Sequence, residues 1–223
     1  MEFPDQDSVK GTFGVSALKT YLIVALTLAS TLLSGAITEA DAKAPEKYRV
    51  KMETTKGTFY IDVTRKWSPN GADRFYELVN SGFYNDCAFF RVIDGFMAQV
   101  GINGTPATQA KWRDQTFQDD PVAKPNLRGY VSFAKTGAPH SRTTQFFINF
   151  GDNRRLDGYG FAPFGAISHK EMKVVDALYS GYGECAPSGR GPSQQRMQLE
   201  GNRYLKQDFP RLDYITKASV LQR

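Results

Sequence analysis

Short segments of this chain alternate apolar and polar residues with the two-residue period of a β-strand. Residues 48–52 have an apolar side chain at every second position, and residues 59–63 repeat the pattern after a turn at 54–57. Because successive side chains of a strand point to opposite faces, the pattern predicts a hairpin with one buried face. Further apolar segments predict four more strands, at 129–134, 145–150, 164–167 and 212–220.

The segment 89–99 predicts a second hairpin, with two apolar arms on either side of an Asp94-Gly95 turn. Arg91 lies inside the first arm, and Gln99 lies at the far end of the second. A guanidinium is costly to bury in an apolar strand unless it has polar partners or a function. This hairpin is therefore the first candidate for a functional site.

Helical spacing of apolar residues predicts two main helices. Ser68 followed by Pro69 is typical of a helix start, and apolar residues continue at helical spacing as far as Val79. A second helix is predicted over 172–178, and a shorter helical stretch over 197–205. These elements favour a mainly β fold, a closed eight-stranded antiparallel barrel with two capping α-helices, because closure leaves no exposed sheet edge.

Two irregular segments, 101–127 and 181–192, interrupt the periodic pattern. A loop as long as the first is usually functional or packed by its own side chains when it lies inside a compact domain. Asp119 and Asp120 form an acidic pair in this loop. We interpret the pair as a loop cap or a surface pair rather than as catalytic carboxylates.

Residues 21–38 form a long apolar segment before Ala40-Asp41-Ala42, which has the small-x-small form of a signal-peptidase site. We expect residues 1–42 to be a signal peptide with a linker or, alternatively, an uncleaved signal anchor, since the segment could span a bilayer. Residues 43–223 would then form one domain in the secretory pathway or another extracytoplasmic compartment (secreted, lumenal or periplasmic). A membrane would be a partner only if the segment is uncleaved.

The charge of the chain bears on its possible partners, and its cysteine content bears on disulfides and zinc sites. The chain carries 28 basic and 23 acidic residues, a formal charge of +5, and loss of residues 1–42 would make it more basic. The basic residues are scattered and accompany no nucleic-acid motif, so we expect no nucleic-acid partner and a monomer with a solvated basic surface. Cys87 and Cys185 are too few for a disulfide framework or a zinc site, and we expect free or buried thiols.

Several catalytic chemistries lack the residues that they need. The two histidines, His140 and His169, accompany no Gly-x-Ser-x-Gly elbow, and no metal-ligand spacing or phosphate-binding glycine loop is present. We therefore expect neither a cofactor nor a metal. The sequence instead offers isolated polar groups among large apolar residues, which suits an apolar ring flanked by amide groups. These residues are Arg91, Phe96, Met97, Gln99, Phe147, Leu156 and Phe161.

Three motifs follow one another along the chain: FRVIxGFMxQ at 90–99, QFFI at 145–148, and LDG followed by FG within 156–165. They resemble the signatures of the cyclophilins, the peptidyl-prolyl cis–trans isomerases, and their order and spacing agree over about 48–220. The resemblance implies the eight-stranded capped barrel of that family. It also implies acceleration of X–Pro isomerisation in the folding of exported or lumenal proteins.

The resemblance further implies a role for individual residues. Arg91 and Gln99 are the catalytic candidates: Arg91 would stabilise the twisted amide, and Gln99 would hold a peptide carbonyl or position Arg91. The expected partners are proline-containing peptides and unfolded proteins. The candidates that would contact the proline ring are Phe96, Met97, Phe147, Leu156 and Phe161. The candidates that would line the peptide groove are Ala134 and Gln145.

The chain departs from the family pattern near the third motif. Arg155 stands where many members have a tryptophan, which implies weak cyclosporin binding, and Phe161 stands where many have a histidine. A proline-peptide binding module or scaffold with little turnover is therefore the alternative function. We also expect His140 and Arg142 on a loop near the groove, where they would favour acidic or polar substrate side chains.

Overall fold

The computed structural model describes residues 43–221, and one antiparallel sheet dominates this part of the chain. Its first two strands form the hairpin predicted from the alternating pattern, with the inward side chains buried. Within residues 43–221 the sheet has nine strands: β1 Lys47–Thr54, β2 Gly57–Thr64, β3 Cys87–Ala88, β4 Arg91–Ile93, β5 Met97–Val100, β6 Tyr130–Phe133, β7 Phe146–Asn149, β8 Pro163–Ala166 and β9 Tyr214–Leu221.

The sheet forms a half-barrel and does not close. Its order is β3-β9-β1-β2-β8-β6-β7-β5-β4, so the two edge strands are β3 and β4. These strands are consecutive in the chain and are linked through Phe89 and Phe90, which form no turn. No ladder joins β3 to β4 within the described residues, since β3 pairs with β9 and β4 pairs with β5. The prediction of a closed eight-stranded barrel is therefore wrong, whereas the mainly β antiparallel class is confirmed.

Five α-helices flank the sheet within the described residues: α1 Pro69–Asn80, α2 Pro106–Trp112, α3 Met172–Asp176, α4 Gln194–Glu200 and α5 Asn202–Asp208. The two main helices predicted from the sequence correspond to α1 and α3, although α3 is short. The predicted helical stretch at 197–205 is divided between α4 and α5. Sequence analysis missed α2, which lies inside the segment predicted to be an irregular loop.

The start of α1 is capped from a distance by Asp120. The carboxylate of Asp120 accepts hydrogen bonds from the Ser68 hydroxyl at 2.6 Å and from the Gly71 backbone N–H at 2.9 Å. Ser68 precedes the helix as predicted, but its side chain makes no capping hydrogen bond. The pair at 119–120 is interpreted above as a loop cap or a surface pair, whereas Asp120 is buried and caps the start of a helix.

Two hydrophobic clusters form the interior. The main cluster joins buried residues of the sheet to Phe75 and Leu78 of α1. The second, here called the C-terminal cluster, consists of Ala88, Phe90, Ile102, Cys185, Met197, Tyr204, Leu205 and Leu212. Cys87 belongs to the main cluster and Cys185 to the C-terminal cluster, and both are buried free thiols, as predicted.

The predictions made for residues 1–42 lie outside the described residues. Between residues 43 and 221, no helix is long and apolar enough to cross a membrane.

Candidate active site

The predicted hairpin at 89–99 is formed by β4 and β5, and it aligns the two polar candidates. Gly95 has a φ angle of +71° in the turn, a left-handed conformation that glycine adopts without steric cost. The ladder pairs Arg91 with Gln99, and on the other side of β5 it pairs Gln99 with Phe147. Residues opposite each other on neighbouring strands share a face of the sheet, so these three side chains form a row.

This row borders a cavity of about 250 Å³. All of the site residues predicted from the sequence line the cavity except Gln145. Gln145 contacts the site through Gln99, whose Nε2 donates a hydrogen bond to Gln145 Oε1 at 2.9 Å. The complete lining is Arg91, Phe96, Met97, Gln99, Ala134, Lys135, Phe147, Leu156, Phe161, Glu184 and Gln194.

Two aromatic rings build the apolar wall of the cavity. The rings of Phe147 and Phe161 meet edge to face, with centroids 5.6 Å apart and an interplanar angle of 74°. Phe161 follows a 3₁₀ helix, Arg154–Tyr159, that also carries Leu156. The carbonyl of Phe161 accepts a hydrogen bond from Asn126 Nδ2 at 2.8 Å, which ties this segment to the rest of the fold. The wall suits a small apolar ring.

Two side chains hold the Arg91 guanidinium at the polar side of the cavity. Nε and Nη2 donate to the two carboxylate oxygens of Glu184 at 2.6 and 2.7 Å, and Nη1 donates to Gln99 Oε1 at 2.9 Å. A guanidinium has five N–H donors. Nη1 also donates weakly to Met97 Sδ at 4.0 Å, so one N–H, on Nη2, has no acceptor among the described residues. The site can therefore offer this charged donor, and the weakly engaged one on Nη1, to a ligand beside an apolar wall.

Glu184 is a site residue that the sequence analysis missed, as are Lys135 and Gln194. Hydrogen bonding from Arg91 lowers the pKa of the Glu184 carboxyl below its ordinary value of 4.5, so the carboxylate is charged at neutral pH. Glu184 lies 93 positions after Arg91, in the irregular segment 181–192. No periodicity or turn signal connects such distant residues, and only the presence of an acidic residue in a long loop could have drawn attention to it.

The departures from the family pattern lie beside the cavity. The Arg155 guanidinium lies 4.6 Å from the centroid of the Phe96 ring, a cation–π contact with a residue that lines the cavity. Phe161 supplies an aromatic wall where a histidine would add a polar group. Both residues leave the row of Arg91 and Gln99 intact.

His140 and Arg142 do not line the cavity, contrary to the expectation that they would bias the groove. Arg142 is buried, with Nη1 bonded to the Asp119 carboxylate and Nη2 to the Gly160 carbonyl. Nδ1 of His140 accepts a hydrogen bond from the Asp119 backbone N–H at 2.9 Å. Asp119 thus engages both residues away from the cavity.

Comparison with known sequences assigns the family. The sequence model described as cyclophilin type peptidyl-prolyl cis-trans isomerase/CLD matches residues 49–199. The chain is 36% identical over 133 residues to peptidyl-prolyl cis-trans isomerase A of Dickeya dadantii, covering 58% of this chain and 70% of that protein. It is 33% identical over 176 residues to a probable peptidyl-prolyl cis-trans isomerase of Brucella abortus, covering 74% and 85%.

A solved structure shares the fold. The crystal structure of a cyclophilin type peptidyl-prolyl cis-trans isomerase of Cryptosporidium parvum superposes with a TM-score of 0.56 at 19% identity, covering 79% of this chain and 99% of that one. The chain therefore belongs to the cyclophilin-type peptidyl-prolyl cis–trans isomerase family, and it is an isomerase of that type. The resemblance of the three sequence motifs is confirmed.

Proposed function

We propose that Arg91 accelerates X–Pro isomerisation by stabilising the twisted amide while the Phe147–Phe161 wall holds the proline ring. The observation that carries this proposal is the meeting of a charged donor and an apolar aromatic wall in one cavity. Beyond its bonds to Glu184 and Gln99, Arg91 keeps one N–H on Nη2 and one on Nη1 that is engaged only weakly, by Met97 Sδ at 4.0 Å. The substrates are proline-containing peptides and unfolded proteins.

The chemistry of the amide explains why a donor in this position is effective. Resonance withdraws the nitrogen lone pair in the planar amide and sets a rotation barrier of about 18–20 kcal/mol. In the twisted transition state the nitrogen regains a localised lone pair, which accepts a hydrogen bond more strongly than the planar amide does. An interaction that is stronger in the transition state than in the ground state lowers the barrier without an acid, a base or a covalent intermediate.

The other lining residues serve this step through position or grip. Gln99 positions Arg91, because its Oε1 accepts from Nη1 and its Nε2 donates to Gln145, which together orient the side-chain amide. Phe96, Met97 and Leu156 supply further apolar contact with the proline ring. Ala134, directly after the end of β6, lines the peptide groove.

Replacement of Arg91 tests the mechanism. Because R91A removes the transition-state donor, we expect kcat/KM for an Ala-Pro peptide to fall roughly 100- to 1,000-fold, measured by exchange NMR. The matched control is R49A. Arg49 also forms a two-point pair, with Asp62 at 2.7 Å, but it lies on β1 away from the cavity. We expect R49A to stay within about twofold of wild type.

The same measurements separate catalysis from simple binding. An R91A rate equal to that of wild type would refute the role of Arg91. If the wild-type protein bound the peptide but exchanged it no faster than the uncatalysed reaction, the chain would be a proline-peptide binding module. Phe161 and Arg155, the departures from the family pattern, are the observations that keep this second function under test.

A role in the folding of exported proteins is the second part of the proposal. It rests on the apolar segment at 21–38 and the small-x-small sequence that follows it. Amino-terminal sequencing of the protein from its native membrane-free and membrane fractions tests the point. A mature protein that begins near residue 43 supports export, and an intact chain in the membrane fraction supports the signal anchor. An intact chain in the cytosolic fraction would contradict both.

A further inference from the structure

The loop at 181–192 enters the active site through a single strand-like contact. Gly183 pairs with Val92 of β4 in an antiparallel bridge. In an antiparallel pair the register continues in opposite directions, so the residue after Gly183 meets the residue before Val92. Those residues are Glu184 and Arg91, and the bridge therefore brings the carboxylate to the guanidinium.

Backbone contacts within the loop fix the position of Glu184. The Gly191 backbone N–H donates to the Glu184 carbonyl at 2.8 Å. A Cβ atom at Gly191 would lie 2.7 Å from that same oxygen, so only glycine allows the approach. The Cys185 backbone N–H donates to Glu184 Oε1 at 2.8 Å, which orients the carboxylate group itself.

The C-terminal cluster anchors both members of the ion pair. Phe90, which precedes Arg91, and Cys185, which follows Glu184, are both buried in this cluster. The cluster also contains Met197 of α4 and Leu205 of α5. The helices at the end of the domain therefore support the guanidinium and its carboxylate from the same side.

The geometry of the pair restricts the guanidinium more than one hydrogen bond could. Two parallel N–H···O bonds of 2.6 and 2.7 Å fix the plane of the Arg91 group as well as its distance from Glu184. The third bond, from Nη1 to Gln99, restricts rotation of the same plane from the other side. A free arginine side chain would instead spread over several rotamers.

We infer that Glu184 is a positioning residue for isomerisation, which holds the Arg91 guanidinium so that the N–H groups not bound to Glu184 or Gln99 meet the twisted amide. This inference rests on the proposed role of Arg91. A donor misplaced by about 1 Å can lose most of its effect on a transition state. The aromatic wall holds the proline ring independently of the pair, so Glu184 acts on the transition state and leaves peptide binding unchanged.

Replacement of Glu184 by glutamine tests the inference. The side chain keeps its size, but its nitrogen cannot accept from a guanidinium, so the two-point contact is lost. We expect E184Q to lower kcat about tenfold while KM stays within about twofold of wild type. The control is E200Q, because Glu200 also forms a two-point pair, with Arg196 at 2.7 and 3.1 Å, away from the cavity. We expect E200Q to match wild type.

The double replacement separates positioning from a general structural role. If Glu184 acts through Arg91, E184Q should change the residual rate of R91A by less than about twofold. A tenfold loss in both backgrounds, or a kcat for E184Q equal to that of wild type, would overturn the inference. Loss of activity in R91A with no loss in E184Q would leave the proposed function intact and refute this inference alone.

A second measurement keeps the inference testable if E184Q folds poorly. In wild type, the Arg91 Nε–H resonance should exchange slowly with water and shift when an Ala-Pro peptide is added. In E184D, whose carboxylate is one methylene shorter, the same resonance should exchange rapidly and kcat should fall. Slow exchange and full activity in E184D would overturn the inference.

Discussion

The cavity has two walls that meet at Arg91 and are built in different ways. The sheet wall consists of Arg91, Gln99 and Phe147 on β4, β5 and β7, and continuous ladders fix their register. The loop wall consists of Glu184 and Gln194, from the segment 181–192 and the start of α4. A bridge from Gly183 to β4, a bridge within the loop between Cys185 and Gly191, a few backbone hydrogen bonds and the C-terminal cluster hold the loop wall.

The difference shows where stability and activity are coupled. Residues of the sheet wall keep their spacing as long as the ladders persist, because β5 pairs with β4 on one side and with β7 on the other. The loop wall depends on side-chain packing between segments that are distant in sequence. A change in the C-terminal cluster should therefore reach the active site, whereas an equal change in the main cluster should not.

Leu205 and Leu78 offer a matched comparison of the two clusters. Leu205 is 1% exposed in the C-terminal cluster, and Leu78 is 0% exposed in the main cluster. Each change to alanine removes a buried leucine, so we expect both variants to lose about 2–5 kcal/mol of unfolding free energy in urea titrations. We expect only L205A to lower kcat/KM when both are assayed at a temperature where they remain folded.

The activities decide whether the two walls are distinct. Equal kcat/KM values for L205A and L78A would show that the C-terminal cluster does not support the loop wall. A fall in kcat/KM in L78A alone would show that the main cluster, and not the C-terminal cluster, supports the active site.

Replacement of Phe147 tests whether the sheet wall binds the proline ring of the substrate. F147L keeps an apolar side chain but removes the ring that meets Phe161, so the contact with a proline ring should weaken. We expect KM to rise roughly tenfold with a smaller change in kcat, since about 1.4 kcal/mol of binding corresponds to tenfold in affinity. The control is F133L, which makes the same change at a buried position of the main cluster. An unchanged KM in F147L, or an equal rise in F133L, would contradict the assignment.

The sheet wall could be predicted from the sequence because its determinants are local. The Asp94-Gly95 turn sets the register of β4 against β5, and that register aligns Arg91 with Gln99. The alternating pattern likewise predicted β1 and β2. A sequence period of two residues carries this information directly.

The remaining features depend on tertiary contacts that no local pattern encodes. Closure of the barrel was predicted from strand count, but the sheet of the described residues ends at β3 and β4, which do not pair with each other. Asp120 was recognised as a possible cap, yet its helix could not be named, because the Ser68 contact spans 52 positions. The contact between Glu184 and Arg91 could not be predicted either, because it spans 93 positions.

Acid should reduce the stabilisation that the loop wall gives to the folded state by a small but measurable amount, and it should leave that of the sheet wall unchanged. Arg91 lowers the pKa of Glu184 below its ordinary value of 4.5, so the pair stabilises the folded state above that pH. This stabilisation is lost as pH falls through the lowered pKa, when the carboxylate becomes protonated. Since the Glu184 side chain is 36% exposed, its full contribution should be below about 1 kcal/mol.

The difference in unfolding free energy between wild type and E184Q isolates this contribution, because other titrating groups cancel in the comparison. Wild type should be the more stable protein at pH 6, and the difference should shrink from pH 5 towards pH 3. Q99A leaves both members of the Arg91–Glu184 pair in place, so the matching difference between wild type and Q99A should stay constant. A constant difference for E184Q as well would show that Glu184 is not held by charge, and the loop wall would then resemble the sheet wall.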